Sequence, residues 1–315
     1  SSHSHTGSTT STQVQGPGHE PFATFQSKVL SLCGGLWPTL HHKAFEVTRM
    51  SGGVFNRIIS IKVDPSKQCL PFYKRWLHMA LNVRAKAELP PGNYILRIPR
   101  RDIAAWMEFE IFIVKYLNVH TDIPCPSISK FDLSYDNKIG LRYTLQPRVP
   151  GRQALLVYQG MNVTQRVCFS RQLGQAINEM SVRAFPYAAY YLTHMDFGPH
   201  NMLVDIVDEK TANLKAILDW DSAVFAPPFL NCKSPQWLWA WKEGEEEDET
   251  KASDTPENLD DQIVKKAFEE AVRPEYLKYA YTPEYRLARD ILRLAIQGIS
   301  SNDDFRDADA FVERW

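Results

Sequence analysis

The chain has 315 residues, 36 basic and 37 acidic, for a net charge of -1 with histidine neutral. Its length suits two domains or two lobes, and 44% apolar with 23% charged residues excludes a chain disordered throughout. The balanced charge lacks the basic excess of a nucleic-acid binder, and the longest apolar run, Tyr187 to Leu192, falls far short of the roughly 20 residues of a membrane helix.

In chain order, residues 1–20 are rich in Ser, Thr, Gly and His and read as a disordered leader or an appended remnant. The polar start has no apolar signal segment, which predicts a cytoplasmic protein. Five widely spaced cysteines without a Cys-x-x-Cys pair fit reduced thiols and give no metal or redox motif. Arg57 to Val63 alternates, with Ile59, Ile61 and Val63 on one face, and Tyr94 to Pro99 is a second β-rich run. Tyr73 to Lys86 between them carries a short helical pattern ended by Pro90, Pro91 and Gly92. Trp106, Phe109, Ile113, Val114 and Leu117 recur at helical spacing, and Leu141 to Gln146 is strand-like. These elements form an N-terminal lobe over residues 21–147.

The second lobe, residues 148–315, differs in texture. Val167, Leu173, Ile177 and Met180 mark a helix over Thr164 to Met180, and Met202–Ile206 with Leu214–Asp219 reads as a hairpin. Trp237, Trp239 and Trp241 alternate, and packing against the C-terminal helices is favoured over an aromatic substrate platform. Residues 243–261 hold ten Asp or Glu and one Lys, which predicts a solvated, mobile acidic loop, with a lid near a cationic substrate as the alternative. Thr282-Pro283 is a helix start, followed by Leu287, Ile291, Leu294 and Gly298.

The chemistry concentrates in His194-Met-Asp-Phe-Gly-Pro-His-Asn201 and Ile217-Leu-Asp219-Trp-Asp221. Phosphoryl transfer needs one group to orient and deprotonate the attacking hydroxyl, and oxygen donors to hold Mg²⁺ on the phosphates. Asp196 suits the first task; Asn201 and Asp219 suit the second, because Mg²⁺ is hard and takes oxygen ligands. The hairpin between them brings Asn201 and Asp219 together.

With that motif, the chain resembles the aminoglycoside-phosphotransferase family, a protein-kinase-like fold, and especially its fungal, small-molecule-kinase-like branch. The resemblance runs from about Phe45 to Trp315. It implies an α+β bilobal fold, with a β-rich N-lobe and a mainly helical C-lobe. It further implies ATP as the phosphate donor, GTP not being excluded, with Mg²⁺ and a small hydroxyl-bearing acceptor. Met50-Ser-Gly-Gly-Val-Phe-Asn-Arg57 resembles the glycine loop that covers the phosphates, through Gly52 and Gly53. Arg97 in Tyr94–Pro99 resembles the basic residue on the α/β-phosphates, with Glu110 as its ion-pair partner and Glu108 as the competitor. Leu145-Gln-Pro-Arg-Val-Pro-Gly151 sits at the expected hinge, where Gln146 and Arg148 would meet the base because Pro147 has no N–H.

Arg97 stands where many relatives carry Lys; it keeps the charge and offers a bidentate fork. Together with Pro147 it defines the alternative, a pseudokinase kept as a nucleotide-binding or interaction module. Among lesser candidates, His194 reads as a structural hydrogen-bonder rather than a catalytic acid, and His200 as a water-exposed loop histidine, with a contact to substrate or metal as the alternative. Asp221 reads as either a second metal contact or a structural group. Asp290 reads as a contact for a cationic acceptor or a partner of Arg286.

Overall fold

The computed structural model describes residues 20–51, 56–67, 89–100, 104–181, 183–185, 188–240, 248–298, 305–306 and 308–309. The Tyr73–Lys86 helix, Gly52, Gly53, Trp241 and the leader up to residue 19 lie outside them. The chain divides into two compact units, residues 1–104 with 128–148, and residues 105–127 with 149–315.

The first unit is built on an antiparallel sheet of β1 (Phe45–Arg49), β2 (Asn56–Val63), β3 (Asn93–Pro99), β4 (Lys130–Asp132) and β5 (Tyr143–Pro147), in the order β1-β2-β3-β5-β4. Alternation decides the buried face: Ile59, Ile61 and Val63 of β2 and Tyr94, Leu96 and Ile98 of β3 are all at most 4% exposed. Helix α1 (Phe22–Leu36) covers them with Phe25, Val29, Leu32 and Cys33. It is tied to the edge strand by Gln26 Nε2 donating to the Val47 carbonyl at 2.9 Å. The guanidinium of Arg57 lies 4.2 Å from the centroid of the Phe25 ring.

Helix α2 (Ala104–His120) buries Ile113, Val114 and Leu117, as its spacing requires, while Trp106 is 56% exposed. The sequence pattern puts this helix in the N-terminal lobe; by its contacts residues 105–127 belong to the second unit. The cause lies at its C-terminal end: Tyr116 meets Phe225 edge-on, and Ile217 N donates to the Pro124 carbonyl at 2.7 Å.

The second unit is mainly helical. After the short β6 (Arg152–Gln153) and α3 (Ala154–Val157) comes α4 (Val163–Met180), started by a capping box in which Gln165 N donates to Asn162 Oδ1 and Asn162 N to Gln165 Oε1, both at 3.0 Å. The unit also holds two three-stranded antiparallel sheets. β8 (Ala188–Thr193) lies between β7 (Arg183–Phe185) and β11 (Val224–Ala226), and the hairpin β9 (Met202–Ile206) with β10 (Ala212–Ile217) extends onto β6. Gln165 Nε2 and Asn162 Nδ2 bond the hairpin turn at the carbonyls of Asp208 and Glu209. Gln172 donates to Ala212 O and accepts from Leu214 N, so α4 holds the hairpin along its length.

Helices α5 (Leu259–Ala271), α6 (Pro274–Tyr281) and α7 (Pro283–Gln297) complete the unit. Thr282 is the N-cap of α7 by backbone position, but its hydroxyl makes no capping bond. Trp237 packs on Tyr158 and Phe169, and Trp239 on Phe268 of α5, so these two indoles serve packing and form no platform. Among the described residues no helix is long and apolar enough to cross a membrane.

Candidate functional site

The site grows from the loop between β8 and β9. His194 leaves β8 buried, at 3% exposure, and packs on Trp220 at 4.6 Å between ring centroids. The Asp196 N–H points at His194 Nδ1 at 3.3 Å, which makes Nδ1 the acceptor and leaves Nε2 to donate to the Leu218 carbonyl at 2.8 Å. Burial lowers the His194 pKa, against the pull of that carbonyl and of Asp196 and Asp219, in keeping with a neutral ring. His194 is thus the structural hydrogen-bonder that its position suggests.

Two turns then fold the loop back on itself. Gly198 N donates to Asp196 O and Asn201 N to Gly198 O, both at 3.0 Å. The Asn201 amide, 7% exposed, donates to the Asp196 carbonyl at 3.0 Å and to Asp196 Oδ2 at 2.9 Å. Both amide hydrogens are consumed, and Asn201 Oδ1 has no hydrogen-bond partner among the described residues. His200 Nε2 lies 3.1 Å from the same Asp196 Oδ2. Desolvation works to raise the Asp196 pKa, but the hydrogen bond and charge of His200, with the Asn201 amide, hold it below the usual carboxylate value. The pattern reading of His200 as a plain water-exposed residue therefore changes: the ring is half-exposed but bound to Asp196.

The hairpin closes the gap to Asp219. Met202 pairs with Ile217, and Leu218 N donates to Asn201 O at 2.7 Å, so the residues just beyond the paired strands share one end of the hairpin. Asp219 is the one non-glycine residue with positive φ among those described, at φ 63 and ψ 59. Asp is among the few side chains that adopt this conformation readily, and such outliers gather at functional sites. Asp221, partly buried, follows in the 3-10 turn Trp220–Ser222.

Asp196 stands on the rim of a cavity of about 730 Å³ inside the second unit. Its other walls come from Asn231 and Lys233, from Asp248, Glu249 and Thr250, and from Glu284, Arg286, Arg289 and Asp290 of α7. The acidic run therefore departs from a mobile loop over part of its length. Glu249–Ser253 forms a 3-10 helix and α5 begins at Leu259, while residues 241–247 lie outside the described residues. The cause is a pair of arginines on α7: Arg286 donates to the carbonyls of Glu249 and Thr250 at 3.2 and 3.3 Å, and Arg289 pairs with the Glu249 carboxylate. Burial pushes the Glu249 pKa up, against the pull of Arg289. Arg289 itself is 4% exposed.

The first unit carries the remaining candidates. Arg97, 8% exposed, sits on β3 opposite Ile58 and Thr144. Gln146 lies buried on β5 opposite Ile95, and the exposed Arg148 gives its N–H to the Asn93 carbonyl at 2.8 Å. That N–H is spoken for, so a base reaching this residue meets its carbonyl. Glu110, 5% exposed, is on α2 in the second unit, whereas the competing Glu108 is exposed. Pattern reading missed Arg289 and the His200–Asp196 bond; the one available signal was that Arg289 falls in register with Tyr285 and Leu292, away from the Leu287, Ile291 and Leu294 face.

No family model and no curated protein matches the sequence. Solved structures do. The streptomycin–ATP ternary complex of APH(2'')-IIa is 9% identical with a TM-score of 0.52, over 94% of this chain and 97% of that one. The GDP and kanamycin complex of APH(2'')-IIIa is 12% identical with a TM-score of 0.50, over 90% and 97%. A candidate aminoglycoside phosphotransferase from Ralstonia eutropha JMP134 is 13% identical with a TM-score of 0.51, over 90% and 94%. At these identities the likeness speaks for the fold. The chain has the α+β, protein-kinase-like fold of the aminoglycoside phosphotransferases.

Proposed function

We propose that the protein is a small-molecule kinase of the fungal aminoglycoside-phosphotransferase-like branch. It transfers the γ-phosphate of ATP, or of GTP, to an acceptor hydroxyl. One observation carries this reading: Asp196, exposed on the rim of a 730 Å³ cavity, is hydrogen-bonded to Asn201, whose backbone is bonded to the residue before Asp219. Asp196 orients the acceptor hydroxyl and takes its proton as the phosphate bond forms.

Asn201 and Asp219 fit a Mg²⁺ ion. The amide spends its hydrogens on Asp196 and keeps Oδ1 for a ligand, and the carboxylate adds a second hard oxygen donor. When bound, the ion neutralises phosphate charge. Arg97 is assigned to the α/β-phosphates, with Glu110 as its expected partner, Gly52 and Gly53 to the covering loop, and Gln146 and the Arg148 carbonyl to the base. Catalysis then rests on positioning and charge stabilisation, with no covalent enzyme intermediate.

The cavity volume falls in the range of small-molecule sites. Asp248, Glu284 and Asp290 line it beside Lys233, Arg286 and the Glu249-paired Arg289, and these carboxylates would hold the amines of an acceptor that carries hydroxyls as well. Three structural neighbours are described as aminoglycoside phosphotransferases or their complexes, one with kanamycin and one with streptomycin. The deciding experiment compares native chain and Asp196→Asn for transfer of labelled γ-phosphate to amino-sugar acceptors, beside nucleotide affinity. We expect turnover to fall about 10²–10⁴-fold with affinity retained. Undiminished transfer by the variant removes Asp196 as the base; nucleotide binding with no transfer by the native chain supports the pseudokinase.

A further inference from the structure

We propose that His200 is a positioning residue: its imidazole, lying across Gly198, fixes the Asp196 carboxylate so that Oδ1 alone is presented to the acceptor. The inference rests on the proposed role of Asp196 and goes beyond the residues which the resemblance supplies. Four observations carry it. First, His200 Nε2 and Asn201 Nδ2 converge on one oxygen, Asp196 Oδ2, at 3.1 and 2.9 Å. Oδ1 is left without a hydrogen-bond partner among the described residues. Second, the Asp196 side chain is 58% exposed, so it has little packing around it and the two donors on Oδ2 are the contacts that hold its rotamer.

Third, the ring lies where a side chain at residue 198 would stand. A Cβ built on Gly198 comes 2.6 Å from Cε1 and 2.8 Å from Nδ1 of His200, closer than Cβ contacts occur. A Cβ at residue 198 would oblige the imidazole to shift, so the glycine leaves the ring the space it occupies beside Asp196. Fourth, the main chain of His200 is held from outside the loop: Gln153 Nε2, on the strand paired with β9, donates to the His200 carbonyl at 3.0 Å. Backbone anchored on one side and ring seated over glycine on the other leave the Nε2–H in place to donate to Oδ2. Reactions of this kind depend on geometry, and a misplacement near 1 Å costs about 100-fold in rate.

The test uses the full chain with water as the acceptor, so no acceptor need be known. Phosphate release from Mg-ATP and from Mg-GTP is measured for the native chain, Asp196→Asn, His200→Ala, His200→Gln and Gly198→Ala. We expect His200→Ala and Gly198→Ala each to lower kcat by about 100-fold with the nucleotide KM unchanged. Gln keeps an N–H donor and recovers most of the rate in His200→Gln. Crystal structures of the two defective variants should show Asp196 turned from its native rotamer. Native kcat in His200→Ala beside a dead Asp196→Asn overturns the positioning role, as does a defect confined to KM. Equal release by the native chain and Asp196→Asn instead overturns the reading of Asp196 itself.

Discussion

Arg289 is a charge that the fold could not keep buried without several partners. Nη1 donates to the carbonyls of Tyr279 at 2.7 Å and Phe229 at 3.2 Å, while Nη2 meets the Glu249 carboxylate and the Ala280 carbonyl. Two of these carbonyls belong to the last turn of α6, where helix geometry leaves C=O groups without partners. One guanidinium thus neutralises Glu249, ends a helix and seats the acidic segment that walls the cavity. Replacing Arg289 by Met strands a buried carboxylate and three carbonyls, and should cost about 3–5 kcal/mol in urea unfolding. Glu249→Gln removes the charge but keeps an acceptor oxygen for the guanidinium, so its loss should be clearly smaller. Equal losses from the two changes would mean that Arg289 acts through its ion pair alone.

Between elements, α4 and α5 pack tightly at Gly174. A Cβ placed on Gly174 would stand 2.8 Å from Ala271 Cβ and 3.4 Å from its backbone carbon, neither of which is the end of a flexible chain. Gly174→Ala gains roughly 1 kcal/mol of helix propensity yet must push the helices apart, at about 1–3 kcal/mol for overpacking. The net expectation is a small loss of stability in urea titration; a gain would show that the helices part freely. The elements themselves were largely legible, because a strand or helix face is a local pattern. Ile59, Ile61 and Val63 alternate, and Leu173 and Ile177 repeat at helical spacing, and all five are buried. Trp106 shows the limit: a period assigns a face, yet says nothing of what covers it, and this indole is exposed. Helix α1 is poorly legible although Phe25, Val29, Leu32 and Cys33 keep the spacing, since Gly34 and Gly35 weaken the helical signal near its end. Asp196, Asn201 and Asp219 are legible as a candidate motif because their spacing sets them at the ends of a recognisable apolar hairpin. His200 on Asp196 is not, since it depends on the path of a loop over one glycine. The setting of Glu249 is illegible for a similar reason: charge runs are usually solvated, and two arginines about 40 residues away reverse that.

For the molecule as a whole, ligand binding and stability are linked, and this reaches the metal site without any acceptor. A ligand that binds only the folded chain at 100 times its Kd stabilises by about 2.7 kcal/mol, which raises the melting temperature by several degrees in a protein of this size. Under the proposed reading, ATP or GTP raises it further when Mg²⁺ is present, and the difference belongs to the pair Asn201 and Asp219. Asp219→Asn is the variant to compare. Asn, like Asp, tolerates the left-handed backbone found at φ 63, so the turn survives while the charge is lost. The variant should keep the shift seen with nucleotide alone and lose the additional shift with Mg²⁺. Asp219→Ala confounds the two, because a left-handed alanine is strained whatever binds. A metal-dependent shift that survives in Asp219→Asn would move the ion to other oxygens, with Asp221, two residues on in the same turn, the next to change.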